Sequence, residues 1–182
     1  DFVSCMKEAE TKGAKGYVFD MRGNPGGDLE IICTVLDYLL PEGPIIRVKN
    51  AAGNIVFTRD SGASCVNAPM TVLVDGNTAS AAELFTAALR DYHKATIIGT
   101  TTFGKGTMQH IITLSDGSGI RLSCYYYDPP YGENYHGKGI TPDIVLDQSD
   151  YYKLRPYLLN EENDIQIQAA KKELLKIIEG VN

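Results

Sequence analysis

Three side chains in this sequence could together break an acyl bond. Ser80 stands in "DGNTASAAELFTAALRDY" (75–92), and Lys105 in "TTFGKGTMQH" (101–110), with Gln109 four residues further on. A serine hydroxyl is a poor nucleophile until a base takes its proton, and a lysine amine is a base only when neutral. Its reference pKa of about 10.4 must then fall by several units, which burial among apolar groups achieves. Lys105 follows the apolar "TIIG" and Phe103 and is flanked by Gly104 and Gly106, which leave room for a substrate. In an extended chain Lys105, Thr107 and Gln109 share a face. Gln109 could there hold the amine by a hydrogen bond without adding charge. "RGNPGG" (22–27) supplies backbone N–H groups, those of Gly26 and Gly27, that can point at a developing negative charge. The N–H of Ala81, at a helix start, is suited to be the second donor.

Each signal also has a plainer reading. Ser80 and Glu83 have the S-x-x-E spacing of a capping box. Lys105 alone reads as a solvated turn lysine, and "NPGG" alone as a turn. The G-x-S-x-G elbow is absent, since alanines flank Ser80. Histidine is the weaker choice of base. His93 ends the helix that Ser80 starts, roughly 20 Å away at 1.5 Å per residue. His110 falls within a strand pattern and His136 in a polar loop.

The elements that must position these residues follow from periodicity and punctuation. An amphipathic helix over 2–12 stops at Gly13. A short strand, Tyr17 to Phe19, runs into the Gly- and Pro-rich turn. "LEIICTVLDYLLP" has helical spacing up to Pro41. "GPIIRVKNAAGNIVFTRD" reads as a hairpin, and "APMTVLVD" as a buried strand leading to Ser80. The following helix carries Leu84, Phe85, Ala88, Leu89 and Tyr92 along one face. "KATIIGTTT" is another buried strand; "TMQHIITLSDGSGIRLSCYYYDPP" is a hairpin turning at "SDGSG". A polar loop, a last strand "IVL" and a terminal helix from "DIQIQ" complete the chain. Strands alternating with helices predict an α/β domain with a largely parallel core sheet.

Composition narrows the partners. The 182 residues are 43% hydrophobic and 22% charged, and suffice for one domain. A net charge of −6 without a basic run argues against nucleic acid. No apolar run approaches the ~20 residues that span a bilayer. Cys5, Cys33, Cys65 and Cys124 lack metal-ligand spacing and read as buried free thiols, with a disulfide as the alternative; neither a metal nor a cofactor is expected.

"FDMRGNPGGDL", "VDGNTASAAELFTAALRDY", "IIGTTTFGKGTMQ", "LSDGSGIRL" and "GKGITPDIVL" occur in an order and spacing that resembles the carboxyl-terminal processing (tail-specific) serine proteases. The resemblance covers residues 1 to about 147, and its motifs are specific only together. It implies Ser80 as nucleophile, Lys105 as general base and Gln109 as its partner. It implies an oxyanion hole made by Gly27 and Ala81, in a fold that is a spiral of β-β-α units like ClpP and the crotonases. The implied division is a catalytic core over 1–149 and a polar linker with a C-terminal helix over 150–182. The implied substrates are proteins or peptides cut near their C-termini, outside the cytoplasm. A membrane-associated full-length form and a homo-oligomer are both compatible with it. The family carries a PDZ domain ahead of this core, so the chain reads as a core piece lacking its preceding strand, with weak activity and self-association expected in isolation. The competing reading is a non-catalytic module binding peptides or hydrophobic ligands on the same fold. Crotonase-like acyl-CoA chemistry would require an acidic catalytic residue for which no motif is present.

Overall fold

The computed structural model describes residues 1–62 and 64–180; the end of the expected 150–182 segment, 181–182, lies outside them. Strands β1 (Tyr17–Asp20), β4 (Met70–Val74), β5 (Ala95–Gly99) and β8 (Ile144–Val145) form a parallel sheet in the order β1-β4-β5-β8. Every residue of β4 is buried. A run of Val, Leu, Met and Thr without alternation suits a parallel strand covered on both faces. One face carries the main core, where Phe85 of α3 (Ala81–Asp91) meets Leu36 and Leu39 of α2 (Leu29–Leu39). Helix α1 (Phe2–Thr11) adds Met6 to this core. On the other face, Ala170 of α5 (Ile165–Glu179) packs on Leu73 and Ile98.

The expectation of a largely parallel sheet describes half of the architecture. A second sheet of four strands is antiparallel, in the order β3-β2-β7-β6. It is built from the two hairpins legible in the sequence: β2 (Gly43–Lys49) with β3 (Ile55–Ser61), and β6 (Thr107–Thr113) with β7 (Gly119–Asp128). Pairing of Arg47, Val48 and Lys49 with Asp128, Tyr127 and Tyr126 joins the hairpins into one sheet. Hairpin signals are local, whereas the β2–β7 pairing joins residues 47–49 to residues 126–128, so nothing in the periodicity announces it.

Two further expectations change. Helix α3 is buried from Ala81 to Leu89 on all sides, Glu83 and Thr86 included, and not along one face. Its alanines let neighbouring backbone approach where larger side chains would not fit. The cysteines are all free, yet only Cys33 is buried, and burial pushes its thiol up to about 11. Among the described residues no helix is long and apolar enough to cross a membrane, and no cluster of His, Cys, Asp and Glu could hold a metal ion.

The segment after β8 is part of the same packing. A short helix α4 (Asp150–Lys153) and a 3₁₀ turn lead to Asp164, which caps α5 by accepting from the N–H groups of Gln166 and Ile167. Its buried carboxylate also pairs with Arg22 at 2.8 Å. The tail is thereby tied to the residue that opens the Gly-rich turn.

Candidate active site

Ser80 sits between β4 and α3 with φ 57° and ψ −120°. A non-glycine residue there is strained by about 1–3 kcal/mol and needs support from its surroundings. The support is visible on both sides. The N–H of Ala79 donates to the Asn24 carbonyl at 2.9 Å, and the Thr78 hydroxyl donates to the Met21 carbonyl at 2.8 Å. The N–H of Phe103 donates to the Thr78 carbonyl at 3.0 Å. A sharp strand-to-helix turn thus lifts the serine side chain outward, as a nucleophile elbow does, although its glycine motif is missing.

Glu83 organises the site. Its fully buried carboxylate accepts from Ser80 N–H at 2.9 Å and from Lys105 N–H at 2.8 Å, both through Oε2. Through Oε1 it accepts from the Thr102 hydroxyl and from Gly104 N–H, each at 2.6 Å. The amide nitrogens of Ser80 and Lys105 are therefore no farther apart than these two bonds to Oε2 laid end to end. The capping reading is realised: the Glu83 carboxylate accepts from Ser80 N–H, and the Ser80 side chain accepts from the Glu83 N–H, which also reaches the Ser80 carbonyl at 2.9 Å. The S-x-x-E spacing signalled this glutamate as a cap; its grip on Thr102, Gly104 and Lys105 had no sequence signal.

The Gly-rich turn closes over the same point. Gly26 has φ +85°, and a Cβ there would lie 2.5 Å from Ala79 O, 2.7 Å from Ala81 N and 2.9 Å from Ser80 Cβ. Its N–H is held by Asn24 Oδ1 at 2.9 Å. At Gly27 a Cβ would meet nothing within 4 Å. Among the described residues the N–H groups of Gly27 and Ala81 donate to no protein acceptor, so both are free for a ligand. Asp28 then caps α2 by accepting from Ile31 N–H at 3.0 Å, which anchors the turn from its far end. Gly26→Ala is expected to displace the Ser80 turn and slow acylation of Ser80 by an active-site acylating reagent by roughly 100-fold, the scale of a 1 Å misplacement. Gly27→Ala should stay within about threefold of wild type, since its N–H is unchanged and its side chain meets open space. Acylation kinetics of the two variants checks this, and equal losses would contradict the geometry.

A cleft of about 440 Å³ collects the residues expected from the sequence: Gly27, Ser80, Ala81, Lys105 and Gln109 all line it. Lys105 and Gln109 are half-buried. No hydrogen bond links Lys105 Nζ to Ser80 Oγ or to Gln109 among the described residues, and catalytic hydrogen bonds commonly close only around substrate. Tyr127, which sequence reading overlooked, also lines the cleft and donates its hydroxyl to the Lys105 carbonyl at 2.7 Å. Burial pushes its phenol up, against smaller opposing effects of hydrogen bonding with Tyr135 and Ser80. Tyr127 is brought beside Lys105 by the β6–β7 hairpin, its N–H donating to the Gly106 carbonyl at 3.3 Å; the hairpin was legible, but not which of its tyrosines turns to the cleft. His93, His110 and His136 are all exposed, and none lines the cleft.

The model of Peptidase family S41 matches residues 1–146. The chain belongs to that family. It is 38% identical over 174 residues to the carboxyl-terminal-processing protease of Synechocystis sp., a match covering 93% of this chain and 39% of that protein. It is 39% identical over 159 residues to carboxy-terminal processing protease CtpA of Bacillus subtilis, covering 87% of this chain and 34% of the relative. Among solved structures it resembles the photosystem II D1 C-terminal processing protease with a TM-score of 0.74 and 33% identity, over 79% of this chain and 38% of that one. The chain spans under two fifths of the length of these S41 relatives.

Proposed function

We propose that this chain is the catalytic portion of a serine endopeptidase of the carboxyl-terminal processing type, acting on proteins near their C-termini. The observation that carries the reading is the shared grip of Glu83 on Ser80 and Lys105, at a cleft where two backbone N–H groups stand free. Ser80 Oγ attacks the peptide carbonyl while the neutral amine of Lys105 takes its proton, oriented by Gln109. The oxyanion of the tetrahedral intermediate accepts from Gly27 and Ala81 N–H. The Lys105 ammonium returns the proton to the leaving amine, and an ester on Ser80 remains. Water, deprotonated by Lys105, then attacks the ester, and the Lys105 ammonium gives that proton to the departing Ser80 Oγ, releasing the carboxylic acid product and restoring the hydroxyl and the neutral amine.

We take 1–149 as the core and 150–182 as an appended segment whose helix covers the sheet. An extracytoplasmic site of action, membrane association and self-association remain part of this proposal, carried by the family resemblance; cell fractionation and sedimentation of the full-length protein test them. For the chemistry, a fluorophosphonate should form a single adduct, at Ser80 on peptide mapping. Ser80→Ala should abolish both adduct and hydrolysis. Its melting temperature should fall by a few degrees, because the substitution removes one half of the capping box, about 1 kcal/mol. Tight binding of an apolar ligand with no Ser80 adduct would instead establish the non-catalytic module.

A further inference from the structure

We propose that a second cavity, at the carboxyl ends of the parallel strands, binds a primary ammonium group on an aliphatic stem: a lysine side chain or a free alkyl amine. The site is not the cleft of Ser80, and it stands whether or not the peptidase reading does.

The cavity measures about 600 Å³. Arg22 and Gly23 border it from beyond β1, Asp75 and Asn77 from beyond β4, Thr100 from beyond β5 and Gln148 from beyond β8. Crevices outside the carboxyl ends of parallel strands are where open α/β sheets hold ligands. The segment after β8 adds a wall of Tyr152, Lys153, Pro156 and Leu159. Its return over the sheet turns an open rim into a cavity.

The charged and amide donors of Arg22, Lys153 and Gln166 are committed elsewhere. Arg22 gives its guanidinium to Asp20, Asp164 and Gln166. Lys153 lies between Asp147 and Asp150. Gln166 Nε2 donates to the Leu146 carbonyl at 2.6 Å. What remains open on Asp75 and Gln148 accepts. Asp75 Oδ1 receives the N–H groups of Gly23, Asn77 and Thr78 at 2.9–3.0 Å, but among the described residues no donor reaches its Oδ2. Gln148 is only 8% exposed. Its NH₂ donates to Asp164 Oδ1 at 2.9 Å, an orientation that a carboxylate enforces because it can only accept. The group left to face the cavity is Gln148 Oε1, which has no protein donor among the described residues. An enclosed carbonyl without a donor calls for an occupant that supplies one.

Charge agrees with this. Each of the two cations is matched by two carboxylates, whereas no cation among the described residues pairs with Asp75. The occupant therefore brings hydrogen-bond donors and a positive charge. Tyr152, Pro156 and Leu159 offer it apolar surface, which suits a stem of methylenes and not a hydrated metal ion. A primary ammonium on such a stem meets every demand.

Calorimetric titration with n-butylamine tests the site, with 1-butanol as the uncharged match. The amine should bind once per chain and the alcohol at least about tenfold more weakly, the scale of one hydrogen bond to a charged group. Asp75→Asn keeps an oxygen for Gly23, Asn77 and Thr78 and replaces only the open one with NH₂. It should weaken the amine by a similar factor. Glu8→Gln removes an exposed carboxylate of α1 and should leave binding unchanged. N-acetyl-lysine methylamide separates the two sources. If it binds wild type and is lost in Asp75→Asn, the occupant is a lysine of a protein chain; if only butylamine binds, it is a free amine. Should Asp75→Asn fail to fold, the amine–alcohol comparison on wild type and Glu8→Gln decides. Equal affinity for amine and alcohol overturns the inference, and so does an equal loss in Glu8→Gln and Asp75→Asn. Absence of a fluorophosphonate adduct at Ser80 would fell the peptidase reading and leave this one standing.

Discussion

Lys105→Ala is expected to lower kcat/KM for a peptide substrate by roughly 10²–10⁴-fold, the range that a positioned general base contributes. Lys105→Arg should not restore it, because a guanidinium stays protonated and cannot take the serine proton. His93→Asn, His110→Asn and His136→Asn should each retain near wild-type turnover. All three side chains are exposed, and none borders the cleft with Ser80. The comparison is made with one peptide and the five variants, with Ser80→Ala as the floor. A histidine variant at that floor, beside an active Lys105→Ala, would refute lysine as the base.

The second large effect is expected at Glu83. The four groups around its carboxylate all donate: Ser80 N–H and Lys105 N–H to one oxygen, the Thr102 hydroxyl and Gly104 N–H to the other. Glu83→Gln keeps the shape but turns one oxygen into an NH₂. Whichever way the amide lies, a backbone N–H then faces another donor in a buried site. Glu83→Ala removes all four bonds. Unmade buried hydrogen bonds to a charged group cost about 1.5–3 kcal/mol each, so a net loss of about 3–5 kcal/mol is expected for either variant, at the severe end for point substitutions. For a domain of this size that lowers the melting temperature by roughly 10 °C. Activity should fall with it, because the strained Ser80 turn and the Lys105 loop lose their common anchor. Thermal melts with kinetics well below the transition check this. Wild-type melting and turnover in Glu83→Gln would show that the carboxylate is not the anchor.

Residue order alone determined the local elements and the chemical parts. Apolar runs and Gly/Pro punctuation located both hairpins, the parallel strands and α3, since each of those signals acts within one turn or one strand. The motifs around Gly27, Ser80, Lys105 and Gln109 named the groups that share the cleft. What tertiary structure decided lies in contacts between distant segments. Glu83 reads as a helix cap when only its neighbours count, and becomes the link between Ser80 and Lys105 once β5 returns beside β4 and brings Thr102, Gly104 and Lys105 against it. Gly26 reads as a turn glycine until the backbone of Ala79 and Ala81 and the Cβ of Ser80 pack where its own side chain would stand. The joining of the two hairpins into one sheet depends on the pairing of β2 with β7. Periodicity encodes which face of an element is apolar, but not which element covers it. That choice is made by packing over the whole chain.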